Sequence, residues 1–247
     1  MRGGAEGDGC FPTGRHYPGI AHLLRVVAAG LAEEFPTETA LDSMRLVVID
    51  TETTGLDPEV DRIVEIACIV YVGGVEVERV SLLVNPGRPI PKASSDVTGI
   101  DDEKVKDAPP FAAVAEQVIA VLGGAVPLAY NAEYDRKVLQ AEMARCGLNL
   151  PQMPPALRRN VEWLDPLIWA RELQRAEKSR ALSEVAARLG IELSPAHRAA
   201  DDAAAAHDVF HAFRRDPRVP KTYGALIQEQ KRLSRLFDEE RKMWRRP

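Results

Sequence analysis

Hydrophobic and polar positions divide this chain into stretches of different period. Arg45-Leu-Val-Val-Ile-Asp50 is a compact β-rich run, and the turn-forming Thr53-Thr54-Gly55-Leu56-Asp57-Pro58 follows it. Two further apolar runs, 63–72 and 75–84, meet through Gly73-Gly74, a strong hairpin signal. From Pro109 the pattern changes: 110–122 reads as a helix, 126–130 as a short strand, and 132–147 as a helix ended by Gly147. A strand over 161–164 and helices over 166–177, 181–189, 199–213 and about 220–244 complete the series. Upstream, Ile20, Leu23, Leu24, Val27 and Leu31 keep helical spacing as far as Phe35-Pro36, whereas 1–17 is Gly-rich and aperiodic. A hairpin followed by alternating α and β segments predicts an α/β fold, a mixed sheet covered by helices.

Composition narrows this picture. With 45% apolar residues over 247 positions, the chain can bury a substantial core. Cys10, Cys68 and Cys146 form no CxxC pair and no disulfide framework, so a reducing cytoplasm is the expected compartment. No apolar run approaches the ~18 residues a membrane span needs, and no secretion signal opens the chain. The net charge of −5 is unevenly spread, because from Arg214 onward eleven Lys/Arg face five Asp/Glu. A basic end can meet phosphates while an acidic centre binds cations. A solvated helix with paired charges accounts for that end equally well.

Three clusters carry chemistry. Asp50 and Glu52 stand two apart at the end of the first strand, so their side chains point the same way. Open α/β sheets place ligands at such strand ends, and two close carboxylates repel unless a divalent cation joins them. An ordinary strand-end turn with solvated acids is the competing reading. In Tyr130-Asn131-Ala132-Glu133-Tyr134-Asp135, Asn131 is placed to cap a helix, while Asp135 shares the apolar stripe of Val138, Leu139, Met143 and Cys146. Glu133 lies off the stripe. In His197-Arg198-Ala199-Ala200-Asp201-Asp202, Asp202 lines up with Ala206, Val209 and Phe213, and Asp201 with Ala205, Asp208 and Ala212. Asp202 is therefore the better ligand candidate. His197 precedes the helix in a loop, where a lone histidine is most often a surface residue.

Together these residues offer four carboxylates and one imidazole. All-oxygen ligation suits Mg²⁺ or Mn²⁺, and two such ions can activate a water and stabilise a leaving oxygen in phosphoryl transfer, with the imidazole as general base. No glycine-rich phosphate loop appears, which counts against a kinase or phosphatase site.

Asp50-Thr51-Glu52-Thr53-Thr54-Gly55-Leu56, Asn131-Ala132-x-x-Asp135 and His197-Arg198-Ala199-x-x-Asp202 resemble, in order and spacing, the three motifs of the DEDDh (DnaQ-like) exonucleases. The resemblance runs from about Arg45 to Phe213. It implies a ribonuclease-H-like sheet, metal ligands Asp50, Glu52, Asp135 and Asp202, and His197 as the base of a 3′→5′ exonuclease. It further implies that Thr53, Thr54, Gly55 and Leu56 line the pocket of the terminal nucleotide, with Asn131 and the Val97-Thr98-Gly99-Ile100 segment contributing contacts. Many members carry His where Tyr130 and Thr98 stand here. The expected organisation is a leader at 1–17, an added helix and linker at 18–44, the exonuclease domain at 45–215 and a basic helical extension at 216–247. Nucleic acid with a free 3′ end is the expected partner, single-stranded DNA before RNA, with a polymerase or other protein meeting the extensions. A non-catalytic binding module that kept the fold is the alternative, against which five intact positions weigh.

Overall fold

The computed structural model describes residues 29–148, 153–193 and 198–244. Its centre is a four-stranded sheet: β1 (Arg45–Thr53), β2 (Ile63–Val72), β3 (Val75–Leu83) and β4 (Val126–Leu128), in the order β3-β2-β1-β4. The β1–β2 and β2–β3 pairs are antiparallel, and β4 joins β1 in parallel. Gly73 and Gly74 both adopt positive φ (61° and 77°), which the two-residue hairpin between β2 and β3 requires. β1 continues through Thr53, past the point where turn-forming residues begin, because Thr53 still pairs with Ile63 beyond a register shift.

Short helices α1 (Lys92–Thr98) and α2 (Asp102–Val105) follow the hairpin, and neither has enough apolar periodicity to be read from sequence. After them come α3 (Phe111–Leu122), α4 (Ala132–Arg145), α5 (Pro166–Leu173), α6 (Leu182–Arg188), α7 (Ala199–Phe213) and α8 (Tyr223–Trp244). The helix predicted as far as Phe35-Pro36 is not continued over 29–36, which forms turns and an isolated bridge; its remainder lies outside the described residues. The strand predicted at 161–164 is reduced to single bridges, Val161 to Gly30 and Leu164 to Leu128.

Alternation along β1 sends its side chains to two separate cores. Leu46 and Val48 pack with Ala67 and Ile69 of β2 against α5, α7 and α8. Val47 and Ile49 pack with Ile66, Cys68 and Val70 against α3 and α4. The basic end of the chain belongs to the first core, since Leu226, Ile227, Leu233 and Phe237 of α8 are buried in it. Among the described residues no helix is long and apolar enough to cross a membrane.

Buried polar groups set the angles between these layers. Glu142 of α4, 1% exposed, accepts from Arg62 Nε at 2.6 Å and from the Ile63 amide at 3.2 Å, fastening α4 to the start of β2. Asp165 accepts from the amides of Asn131 (2.9 Å), Ala132 (3.1 Å) and Leu167 (2.9 Å), so one carboxylate caps both α4 and α5. The Asn131 side chain makes no cap; its residue adopts φ 65°, a left-handed conformation that asparagine tolerates. Burial raises the Asp165 carboxyl to about 6 against the opposing pull of those amides. Gln230 of α8, 1% exposed, accepts from the Asp165 amide at 2.9 Å and donates to the Trp163 carbonyl at 2.8 Å.

Gln230→Ala strands two buried backbone groups, and we expect a loss of about 2 kcal/mol, or a Tm lower by roughly 4–8 °C for a chain of this size. Arg232→Ala removes only a surface pair with Glu229 and should shift Tm by no more than ~2 °C. Thermal melts of both variants test the difference. Equal shifts would remove Gln230 from its place as the clip on Asp165.

Candidate functional site

Two faces of one strand meet the site. Asp50 and Glu52 point to the α7 side of β1, and Thr51 and Thr53 to the α4 side. α7 enters with its N-terminus towards the end of β1, so Asp202 joins the acidic pair from the helix's first turn. One carboxylate oxygen each from Asp50, Glu52 and Asp202 lie within 4.8 Å of one another. The residues below Asp202 on its face, Ala206, Val209 and Phe213, are buried, as the spacing predicts. Asp201 turns away from this group and acts electrostatically on Arg79 and Arg198. Its face is less polar than expected, because Ala205 is buried too.

Asp135 arrives from the opposite face. It is 5% exposed on α4 and accepts from Thr51 Oγ1 at 2.7 Å. Glu133, off the stripe, is exposed and pairs with Lys137 at 2.6 Å. His197 lies outside the described residues.

The electrostatics of the group are those of crowded anions. Burial, followed by the charges of Asp135, Asp202, Glu52 and Glu65, holds the Asp50 carboxyl well above the ordinary carboxylate range. Burial, then Asp202, Glu65 and Asp135, pushes Glu52 up to about 8, with Arg198 opposing. Asp135 is raised chiefly by burial, against the Thr51 hydrogen bond. These side chains form an all-oxygen donor set whose ionisation the apo site resists, and a hard divalent cation would relieve that resistance. The donor set therefore fits Mg²⁺ or Mn²⁺.

Glu65 was not singled out by sequence, yet it organises this site. It faces Glu52 directly across the β1–β2 register and is 1% exposed. Arg198 Nη2 donates to it at 2.6 Å and Arg198 Nε at 3.2 Å, so the residue before α7 is tied to the sheet. That tie sets where the first turn of α7, and with it Asp202, meets β1. An apolar strand with one glutamate, Ile63-Val-Glu-Ile-Ala, was the available signal.

Beside the carboxylates lies a pocket of about 470 Å³ reached by Glu52, Thr53, Thr54, Gly55, Thr98 and Tyr134. The hydroxyls at its wall are already engaged. Thr53 and Tyr134 lie 2.7 Å apart, and both donate to the Gly55 carbonyl, at 2.6 and 2.5 Å. Thr54 Oγ1 donates to Asp61 at 2.8 Å, and Thr98 Oγ1 to the Ser94 carbonyl at 3.0 Å. These residues therefore shape the pocket with their side chains turned to the protein. A Cβ at Gly55 would come within 2.5 Å of Asp61 Oδ2, so a side chain here would displace the carboxylate that holds Thr54 and the Asp57 amide. Leu56 and Val97, both reaching the same pocket, are 91% and 65% exposed, the kind of apolar rim that can take a flat ring. Asn131 is exposed and lies instead on a separate depression with Ala132, Glu133 and Arg171.

The sequence profile of the RNase T exonucleases matches residues 47–210. The chain is 36% identical over 209 residues to the DNA polymerase III subunit epsilon-like protein of Rhodobacter capsulatus, covering 81% of this chain and 28% of that protein. It is 34% identical over 164 residues to the 3′-5′ exonuclease DinG of Bacillus subtilis, covering 66% and 17% respectively. The chain thus spans less than a third of the length of either curated relative. Among solved structures, the zinc-bound Escherichia coli ExoI–ssDNA complex superposes with TM-score 0.62 at 22% identity, over 71% of this chain and 42% of that one. Exonuclease I of Methylocaldum szegediense gives 0.60 at 21%, over 70% and 41%. At these identities the likeness is one of fold: a ribonuclease-H-like mixed sheet flanked by helices.

The raised carboxyls set a pH dependence. A group whose folded pKa exceeds its unfolded value binds more protons when folded, so its favourable contribution is complete below the unfolded pKa and is lost as pH rises through the folded one. For Glu52 that window runs from the ordinary carboxylate range to about 8. The metal-free protein should therefore lose stability from this site between pH 5 and 8, and Mg²⁺ or Mn²⁺ should restore it by binding the ionised form. We expect the rise in Tm on adding Mn²⁺ to EDTA-treated protein to be larger at pH 8.5 than at pH 6. A rise of the same size at both pH values would contradict this assignment.

Proposed function

Because the chain belongs to the RNase T family of exonucleases, we propose that it is a divalent-metal-dependent 3′→5′ exonuclease acting on single-stranded DNA. The observation that carries this reading is the convergence of Asp50, Glu52 and Asp202 beside a pocket with an apolar rim. In this reading Asp50, Glu52, Asp135 and Asp202 hold two Mg²⁺ or Mn²⁺ ions, and the ions, when bound, supply Lewis-acid stabilisation for attack of water on the terminal phosphodiester. The protein's own groups do the rest. Leu56 and Val97 take the terminal base between them, and the Gly55 turn, braced by Asp61, lets the backbone come close to the sugar. Thr51 holds Asp135 in place from the strand, and Glu65 with Arg198 holds the first turn of α7. His197 accepts the proton of the attacking water. The names of the relatives support DNA as substrate and the 3′ end as the point of attack.

Oligonucleotides of DNA and RNA, labelled at one end or the other, test the reading. With Mg²⁺ a 5′-labelled single strand should shorten stepwise from its 3′ end, and EDTA should stop the reaction. No hydrolysis under any divalent metal would leave a binding module in place of an enzyme.

Neighbouring residues sharpen the test. Asp202→Asn keeps the shape of a metal ligand without its charge and should cost about 10³-fold or more in turnover, some 4 kcal/mol of barrier. Asp201→Asn, on the face turned towards Arg79, should change turnover by less than about tenfold. His197→Ala should lose roughly 10²–10⁴-fold while retaining the Tm rise with Mn²⁺. Steady-state rates on a short single strand at saturating Mg²⁺ decide among these. A dead Asp201→Asn beside an active Asp202→Asn would reverse the ligand assignment.

A further inference from the structure

A strongly cationic recess lies away from the carboxylates, between α5, the loop that follows it and α8. It measures about 420 Å³ and is lined by Arg171, Arg175, Arg180, Arg241, Phe237 and Glu240. Four guanidinium groups and one carboxylate line it; Glu172 and Asp238 pair with Arg175 and Arg241 from its margin, and among the described residues Arg171 and Arg180 have no acidic partner.

The arginines are held differently. Arg180 is fixed, its Nη2 donating to the carbonyls of Gln174 and Arg175 at 2.8 Å each. Arg175 lies over the Phe237 ring, 5.6 Å from its centroid, with Glu172 at 3.0 Å and Glu240 at 3.7 Å. Among the described residues Arg241 keeps a single long pair, to Asp238 at 3.4 Å. Arg171 enters no hydrogen bond or ion pair among the described residues and acts on Asp165 at longer range. Two rigid cations and two available ones suit phosphates, to which arginine offers paired donors.

Placement ties the recess to the carboxylate site. The Tyr130 hydroxyl donates to the Arg180 carbonyl at 2.6 Å, pinning the arginine-bearing loop to the end of β4. Since β4 runs parallel to β1, that end lies on the same edge of the sheet as Asp50. A second depression of about 180 Å³ shares Arg171 and Arg241 with the recess and extends to Asn131, Ala132 and Glu133, where the helix carrying Asp135 begins. Arg136 lines this connection as well, paired with Glu162 at 3.6 Å, and Asp165 and Asp238 also border it. By contrast, Lys231, Arg232 and Arg235 of α8 face another depression, beside Ala29.

We propose that the recess formed by Arg171, Arg175, Arg180 and Arg241 holds the phosphodiester backbone of the single strand whose 3′ end enters the carboxylate site. This rests on the exonuclease reading for the position of that end. A backbone is the occupant that matches several cations spread along connected depressions, since one small anion would engage only part of them. Arg171 and Arg241 then act on long substrates and leave the chemistry at the terminal phosphodiester unchanged.

The test compares a 20-nucleotide single strand with a dinucleotide, in wild-type protein and in the Arg171→Ala/Arg241→Ala double variant. Among the described residues neither side chain enters a hydrogen bond or ion pair beyond the Asp238 pair, and a far-ultraviolet spectrum and Tm close to wild type verify the fold. The expected result is a KM for the 20-mer raised about tenfold, with kcat within twofold. Parameters for the dinucleotide should be unchanged. Binding of the 20-mer without metal should weaken, and the slope of log Kd against log salt should fall by about 1.4, roughly 0.7 for each phosphate contact removed. Unchanged 20-mer affinity and salt slope overturn the proposal, even if inorganic phosphate stabilises the wild type and not the variant, because the recess then takes only small anions. Equal losses on the dinucleotide overturn it too. Absence of hydrolysis by the wild type on both lengths would instead overturn the exonuclease reading, and the metal-free binding arm would still report on the recess.

Discussion

Repulsion among carboxylates at the end of β1 is the constraint around which this molecule is arranged. Asp50 and Glu52 share a face by strand alternation, and α7 adds Asp202 within 4.8 Å. Such a group has no favourable ionised state of its own in a partly buried place. It persists because strand pairing and the docking of α7 hold its members together and because Asp50 and Glu52 resist ionisation. β1 is a central strand, paired on both sides, and its apolar residues Val47, Val48 and Ile49 are fully buried in two different cores. The apolar burial along β1 thus supplies stability that the crowded anions at its end draw upon.

Around this point the buried polar groups act as positioning devices. The register sets Glu65 opposite Glu52, which would add a further like charge, but Arg198 closes on Glu65 and brings a cation to the edge of the site. The same contact fixes the start of α7. On the other face, Thr51 and Asp135 join strand to helix, while Glu142 fastens that helix two turns further along. Asp165 and Gln230 extend the chain of contacts to α8, so the basic end of the molecule is part of the support of α4. An exposed turn at Gly55 and Leu56 and an arginine recess between α5 and α8 then flank a rigid centre. Binding and catalytic residues commonly sit on such exposed edges of a rigid scaffold.

Much of the arrangement was legible before the structure because it depends on local period. The hairpin at Gly73-Gly74, the strand bearing Asp50 and Glu52, and the helix over 199–213 follow from alternation, turn chemistry and helical spacing. The preference for Asp202 over Asp201 as the residue facing the carboxylate pair came from the roughly 100° step between consecutive helical residues. Reading failed where position depended on a partner distant in sequence. The strand expected at 161–164 has β-forming residues, but only single bridges are available to it beside β4 and Gly30. Asn131 has the composition of a cap, yet a carboxylate 34 residues away takes the amides.

The sequence by itself determined which residues form the candidate carboxylate set and which face of each element they occupy, because both follow from side-chain type and from a period of 2 or 3.6 residues. Only the tertiary structure decided how those faces meet. It brought Asp202 to the α7 side of β1 and left Asp135 bonded to Thr51 on the other. It made Glu65 the anchor of Arg198, and it gathered arginines from α5, a loop and α8 into one recess. Such juxtapositions depend on strand order, register and the docking angles of helices. These are set by the sum of many contacts between distant residues, and no local period encodes them.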